Sequence, residues 1–261
     1  MTEQIILTRK KGVATITLNR PEKHNTIDYK GWLTLKEMAE DLDRADDRVV
    51  VITGSGEEAF SSGADIKDFD RYFNNSEKAK TYEEAFKGAM NAVESLSKPT
   101  ICLIKGICMG GGCLLSAAAD LRIASENSRF AIPAARLSVL IDHSQMKRLV
   151  DLIGRGNASH ILLTGKELEA AEAYRIGLVN FVYPLSEIDD VVYSLAERMS
   201  RLAPLTQKWH KRMMRTVLDN PSLTGISAEE IDMTFKIFDS EDFREGRQAF
   251  LEKRKPQFKG K

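Results

Sequence analysis

The residues with the most telling types and spacing are glycines. Gly110, Gly111 and Gly112 stand together in the run Gly106-Ile107-Cys108-Met109-Gly110-Gly111-Gly112-Cys113-Leu114-Leu115-Ser116. There an apolar strand over 101–104 turns directly into a stretch of small apolar residues that reads as a helix. A glycine inside a helix costs about 1 kcal/mol against Ala, so three in succession are kept for close backbone approach or for positive φ. N–H groups at a helix start have no partner inside the helix and can receive an anion or a developing oxyanion. Tight packing against a sheet or a neighbouring subunit is the plainer use of the same residues. A second glycine-bearing loop, Phe60-Ser61-Ser62-Gly63-Ala64-Asp65-Ile66-Lys67, follows another apolar strand over 49–53. Two strand-end loops offering backbone donors point to one shared site.

Alternating β-branched residues from Ile5 to Leu18 predict a hairpin about the Lys10-Lys11-Gly12 turn. A polar loop over 19–25 leads to an amphipathic helix reaching about Asp43, with Thr26 or Asp28 as its cap. The lysine- and glutamate-rich segment 68–80 reads as a surface stretch with mobility, and a helix over 81–96 follows it. Short strands over 121–124 and 129–132 flank a Ser-Glu-Asn-Ser turn. Strand–helix alternation of this kind argues for right-handed parallel βαβ units. Beyond Asp142 the chain reads as helices over 144–152, 156–163, 169–176, 185–202, 204–218, 227–238 and 241–254, interrupted by one strand over 178–182.

Phe60-x-x-Gly63-Ala64-Asp65-Ile66 and Gly106-x-x-x-Gly110-Gly111-Gly112 resemble, in order and spacing, the two motifs of the crotonase (enoyl-CoA hydratase/isomerase) superfamily. The likeness continues through Leu163-Thr164-Gly165, the Ala171 to Val179 run and the Ser240 to Arg254 run. It implies an α/β fold: a ββα spiral core over 1–200 carrying an acyl-CoA site, and a helical trimerisation subdomain over 201–261. It also implies that the Ala64 and Gly111 N–H groups clasp the carbonyl oxygen of an acyl-CoA thioester. Homotrimers, often paired into hexamers, are the assembly of that family.

The acid–base groups depart from the family pattern. Hydratases of the family carry two glutamates, at positions held here by Leu114 and Ala134, and neither side chain carries a proton. General acid–base assistance of about 10²- to 10⁴-fold per group is thereby removed. Decarboxylation needs no glutamate pair, and the aliphatic Gly-Gly-Gly-Cys-Leu-Leu run resembles decarboxylase branches of the family. Asp142, with His143 beside it, falls where dehalogenases and some carbon–carbon hydrolases of the superfamily place catalytic groups. Asp142-His143-Ser144-Gln145 also fits a helix N-cap with Gln at the third position, so a cap and a catalytic carboxylate are both open readings. The resemblance assigns Lys67, Lys23 and His24 to coenzyme A contacts. It assigns Ser62, Asp65, Ile66, Gly110, Leu114 and Ala134 to the substrate site. A non-catalytic acyl-CoA-binding subunit is the alternative of a different class.

Composition sets the outer limits. The 261 residues suffice for a large core, and 38 basic residues balance 38 acidic ones, so the charge asks for neither nucleic acid nor an anionic membrane. Cys102, Cys108 and Cys113 lie in one buried-looking unit without paired or C-x-x-C spacing, which suits free thiols in a reducing compartment. The start, Met1-Thr2-Glu3-Gln4, has no basic-then-apolar leader and no apolar run is long enough to span a bilayer. A cytoplasmic protein is expected. No residue cluster has metal-ligand spacing, and no cofactor is expected beyond the coenzyme A carried by the substrate.

Overall fold

β1 (Ile5–Lys10) and β2 (Val13–Leu18) pair antiparallel across Lys11 and Gly12, whose φ values of 53° and 77° make the turn. The chain is seen here as a computed structural model that describes residues 3–261; Met1 and Thr2, part of the leaderless N-terminal reading, lie outside the described residues. α1 (Tyr29–Arg44) starts at Asp28, whose carboxylate accepts from Gly31 N at 2.8 Å, and buries Trp32, Leu35, Ala39 and Leu42 along one face. β3 (Val49–Gly54) is buried along its whole length and is followed by β4 (Ala59–Ser61).

The polar segment over 68–80 is largely exposed, as expected of a surface stretch, but it is helical through most of its length. A 3-10 turn over Ile66–Asp68 runs into α2 (Phe69–Tyr72), and α3 (Ser76–Ser95) begins five residues earlier than its apolar periodicity suggests. Asn75 caps α3 by accepting from Lys78 N at 2.9 Å. Aromatic packing supplies the rest: Tyr72 stacks on Tyr29 with ring centroids 4.7 Å apart, and Phe73 lies 5.0 Å from the Tyr82 ring.

β5 (Thr100–Ile104) leads to β6 (Ile107–Met109) before α4 (Gly111–Ala117), so the strand does not turn directly into the helix as its sequence suggested. β7 (Leu121–Ser125) and β8 (Arg129–Ala131) follow, then a 3-10 turn over Pro133–Leu137 and α5 (His143–Thr164). α5 is broken at Gly154 (φ 73°, ψ 157°), which accounts for its reading as two helices. β9 (Leu168–Glu169), α6 (Ala170–Arg175), β10 (Phe181–Tyr183), α7 (Ile188–Met199), α8 (Pro204–Asp219), α9 (Ala228–Lys236) and α10 (Glu241–Leu251) complete the described chain. Leu178 and Val179 are buried but not in a strand, because both amides donate to Ala173 O at the end of α6 and hold them in its closing turn.

Two sheets result. One has six strands in the order β1-β2-β3-β5-β7-β10, parallel except for the first pair, and the other has four in the order β4-β6-β8-β9. After β3, β5 and β7 the chain steps into the small sheet at β4, β6 and β8, winding a spiral in which each turn adds a strand to both sheets. β7 and β8, adjacent in sequence, therefore lie in different sheets. One face of the large sheet carries the main core, including Trp32, Leu35, Met90 and Phe130. Its other face packs Val49, Val51, Ile101 and Leu103 against Ile188, Val192 and Ala196 of α7. Burial on both sides explains why β3 and β5 are apolar throughout.

Candidate active site

The two glycine-bearing loops meet. Ile27 brackets Ala64 in a short parallel bridge: its N–H donates to Gly63 O at 2.9 Å, and its carbonyl accepts from Asp65 N at 3.1 Å. In a parallel ladder the residue between the two bonded neighbours turns its own N–H and C=O to the opposite side, so the Ala64 amide faces away from Ile27. The same loop touches the start of α4. A Cβ built on Gly63, whose φ is +97°, would stand 2.6 Å from Gly111 N and 2.9 Å from Met109 O. No side chain fits between the loops there.

Gly110 N donates to Ala131 O at 2.8 Å, and Gly110 takes φ +51° as the residue preceding α4. Gly111 is then the first helical residue, whose N–H has no intrahelical acceptor. Among the described residues, neither Ala64 N nor Gly111 N has a backbone or side-chain hydrogen-bond partner. Gly111 is held from the other side by α3 and α1, since a Cβ on it would meet Phe86 Cε2 at 2.9 Å and Trp32 Cζ2 at 3.3 Å. Gly112 sits against the Ser61 carbonyl of β4, where a Cβ would overlap it. The glycine run thus packs closely against Ser61, Phe86 and Trp32, and it leaves the Gly111 N–H, like that of Ala64 in the adjoining loop, without a partner among the described residues.

A polar clasp fixes the loop that carries Gly63 and Ala64. Asn25 is buried with φ +55°; its amide donates to Ser55 O at 3.0 Å and Ala59 O at 2.7 Å, and its Oδ1 accepts from Arg20 N at 3.0 Å. Ser61 Oγ donates to Asn25 O and accepts from Gly63 N, at 2.8 and 3.1 Å. Ser62 N donates to the carbonyl of the exposed His24 at 2.9 Å. Asp65 takes Arg20 Nη2 at 2.7 Å and Lys23 Nζ at 3.5 Å, and accepts from Lys67 N at 3.1 Å. Burial acts to raise the Asp65 carboxyl, but Arg20, the Lys67 amide and Lys23 outweigh it and hold it below its usual range. Ile66 and Lys67 beside the clasp are exposed, Ile66 by 69%. Of the expected coenzyme A contacts, Lys23 is thus ion-paired, while Lys67 has no carboxylate partner among the described residues.

The positions of the absent glutamates carry no ionisable group. Leu114 is buried on the first turn of α4, and Ala134 packs half-buried against the main core from the 3-10 turn. Asp142 is a cap with every oxygen engaged. Its Oδ1 accepts from Gln145 N at 2.8 Å and Ser144 Oγ at 2.7 Å, its Oδ2 takes Lys87 Nζ at 2.9 Å, and Asp142 N donates in return to Gln145 Oε1 at 3.0 Å. Burial works against the charged form, yet these partners hold the carboxyl down at about 2. His143 stands exposed on the first turn of α5.

One carboxyl group escaped the sequence reading. Glu83 on α3 accepts from Gln145 Nε2 at 3.1 Å, one turn of helix before Phe86 and one before Lys87. Burial chiefly, and then the Asp142 charge, push Glu83 up to about 7 against the opposing pull of Gln145 and Lys87. The signal available in sequence was its place beside Tyr82 on the flank of the apolar stripe of α3. The three cysteines are buried and free of disulfides, Cys108 Sγ donating to Ser116 Oγ at 3.9 Å, and burial pushes Cys102 up to about 12. Among the described residues no cluster of metal-ligand type occurs, and no helix is long and apolar enough to cross a membrane.

Comparison with known proteins matches residues 8–261 to the family described as enoyl-CoA hydratase/isomerase. Carnitinyl-CoA dehydratase of Salmonella paratyphi A is 35% identical over the full length of both chains. Short-chain-enoyl-CoA hydratase of Clostridium acetobutylicum is 32% identical, over 96% of this chain and 95% of its own. The crystal structure of an enoyl-CoA hydratase/carnithine racemase from Magnetospirillum magneticum superposes with a TM-score of 0.95 at 34% identity, covering 100% of this chain and 97% of that one. With the spiral of paired sheets and both glycine-bearing loops in place, the chain belongs to the enoyl-CoA hydratase/isomerase, or crotonase, family.

Proposed function

We propose that the protein is an acyl-CoA lyase or isomerase that seats a thioester carbonyl oxygen between the Ala64 and Gly111 N–H groups and works through the enolate. The observation that carries this reading is that the two glycine-bearing loops touch at Gly63 and Gly111, each with one amide that has no partner among the described residues. Such donors act on charge that develops at the oxygen, and one is worth about 3 kcal/mol of barrier in comparable sites. The relatives named for carnitinyl-CoA and enoyl-CoA reactions support a coenzyme A thioester as substrate. Lys67, exposed beside the clasp, and Lys23 suit the phosphates of its coenzyme A part. No further cofactor enters the reading.

Leu114 and Ala134 favour proton transfer or decarboxylation at the acyl α-carbon over two-carboxylate hydration. Nucleophilic hydrolysis or dehalogenation through Asp142 ranks lower, since the carboxylate would have to leave Lys87 and its cap together. Exposed Phe235, Phe238 and Phe250 on the C-terminal helices favour self-association, for which a homotrimer or a dimer of trimers is the proposal.

The test is turnover of crotonyl-CoA, a 3-enoyl-CoA and a methylmalonyl-type CoA beside calorimetric binding of the same thioesters. Isomerisation or decarboxylation with slow crotonyl-CoA hydration is expected. Fast hydration contradicts the role given to Leu114 and Ala134, and binding without any turnover favours a non-catalytic acyl-CoA-binding subunit.

A further inference from the structure

We propose that Glu83 is the group that takes up and returns the acyl α-proton, in place of the two glutamates the chain lacks. The inference rests on the enolate reading above and adds the residue that moves the proton.

Glu83 and Phe86 are three apart on α3, and side chains so spaced stand about 5–6 Å from one another. The Phe86 ring packs against Gly111, so Glu83 lies one helical turn along α3 from the side chain that covers that glycine. Its other neighbour, Gln145, is in the first turn of α5, which closes over the 3-10 turn bearing Ala134. Glu83 is thus tied to the start of α5 through Gln145 and stands one helical turn from Phe86, which covers the start of α4. Its two oxygens differ. Oε1 is held by Gln145, whereas no described residue donates to Oε2. Asp142, the other carboxylate of the cluster, has no free oxygen and stays ionised.

The charges acting on Glu83 come from both elements packed there: Asp142 on α5 resists its ionisation, and Lys87 on α3 favours it, with the Gln145 amide as a neutral donor. The carboxyl, half-protonated at about pH 7, can both accept and return a proton under neutral conditions. As a base, Glu83 Oε2 takes hydrogen from the α-carbon; the C–H pair moves into the enolate and its charge collects on the carbonyl oxygen between the two amides. Return of the same proton to the α- or γ-carbon regenerates the carboxylate and neutralises the enolate. After loss of carbon dioxide from a malonyl-type thioester, the protonated form supplies the α-proton instead. Gln145, Lys87 and Asp142 are positioning residues that set the orientation and charge of Glu83.

Exchange of α-hydrogen for deuterium in butyryl-CoA and phenylacetyl-CoA, followed by NMR in D₂O, reads this step directly. Wild type should exchange with a rate that rises with pH to a midpoint near 7. Glu83→Gln should lose about 10²- to 10⁴-fold in exchange while binding the thioester with unchanged affinity by calorimetry. Glu83→Asp should retain part of the exchange, separating loss of the carboxyl from misfolding. Asp142→Asn keeps a competent cap but removes the neighbouring charge, so the midpoint should move to lower pH; Lys87→Met should move it higher. Exchange by Glu83→Gln at the wild-type rate, or a midpoint unmoved by both neighbouring substitutions, overturns the role of Glu83. Absence of exchange by wild type with thioester bound overturns the enolate reading, and this inference with it.

Discussion

Gly63→Ala is the substitution that most sharply separates a packing glycine from a catalytic scaffold. Two costs can be worked out. A non-glycine residue at φ +97° carries about 1–2 kcal/mol of backbone penalty. The added methyl must also displace Gly111 N and Met109 O from 2.6 and 2.9 Å, and overpacking against backbone costs about 1–3 kcal/mol more. Gly56→Ala is the matched control: its φ is +80°, but nothing lies within 4 Å of the new Cβ. Urea unfolding should therefore place Gly63→Ala below Gly56→Ala by about 1–3 kcal/mol. Turnover or α-proton exchange in Gly63→Ala should fall by about 10²- to 10³-fold, the loss expected when one oxyanion donor is misplaced, while Gly56→Ala keeps it. Equal stability and equal turnover in the two variants would refute the claim that the loops meet at Gly63.

Three other outcomes follow from the same geometry. Because Glu83 is raised from 4.5 to about 7 in the folded chain, the stability it contributes below pH 4.5 is lost as pH rises through 7. The melting temperature of Glu83→Gln should gain on wild type across that interval and run parallel above it. Asp142→Ala should cost about 1 kcal/mol in denaturant unfolding by loss of the cap, and Asp142→Asn only a few tenths. Equal losses would mean that the cap contributes nothing. Arg20→Leu leaves the buried Asp65 carboxylate without its 2.7 Å partner and should cost about 3–5 kcal/mol, with weakened thioester binding because Asp65 follows Ala64 directly. A loss under 1 kcal/mol would show that Lys23 alone suffices.

What could be read from sequence was what local chemistry dictates. β3 and β5 announce themselves as unbroken apolar runs because both of their faces are covered, and the Asp142 to Gln145 cap is written in four consecutive residues. The glycine loops pointed to the candidate site because main-chain donors need particular backbone shapes, and those need glycine. β4, β6 and β9 did not register: they are two or three residues long and exist only through pairing with strands 22 to 48 residues away, as in Ile107 with Arg129 and Ala59 with Ile107. α2 likewise depends on Tyr72 finding Tyr29. Glu83 was invisible for the same reason. With Lys87 four residues on it resembles an ordinary surface pair, and only the arrival of α5, with Gln145 62 residues away, buries it and sets Asp142 beside it.

The claim on which everything else depends is that two backbone amides hold one thioester oxygen. A crystal structure with a non-reactive acyl-CoA bound tests it most directly. The account predicts the carbonyl oxygen about 2.7–3.1 Å from both Ala64 N and Gly111 N, with the α-carbon turned toward Glu83. A thioester oxygen touching neither amide, or only one, contradicts it.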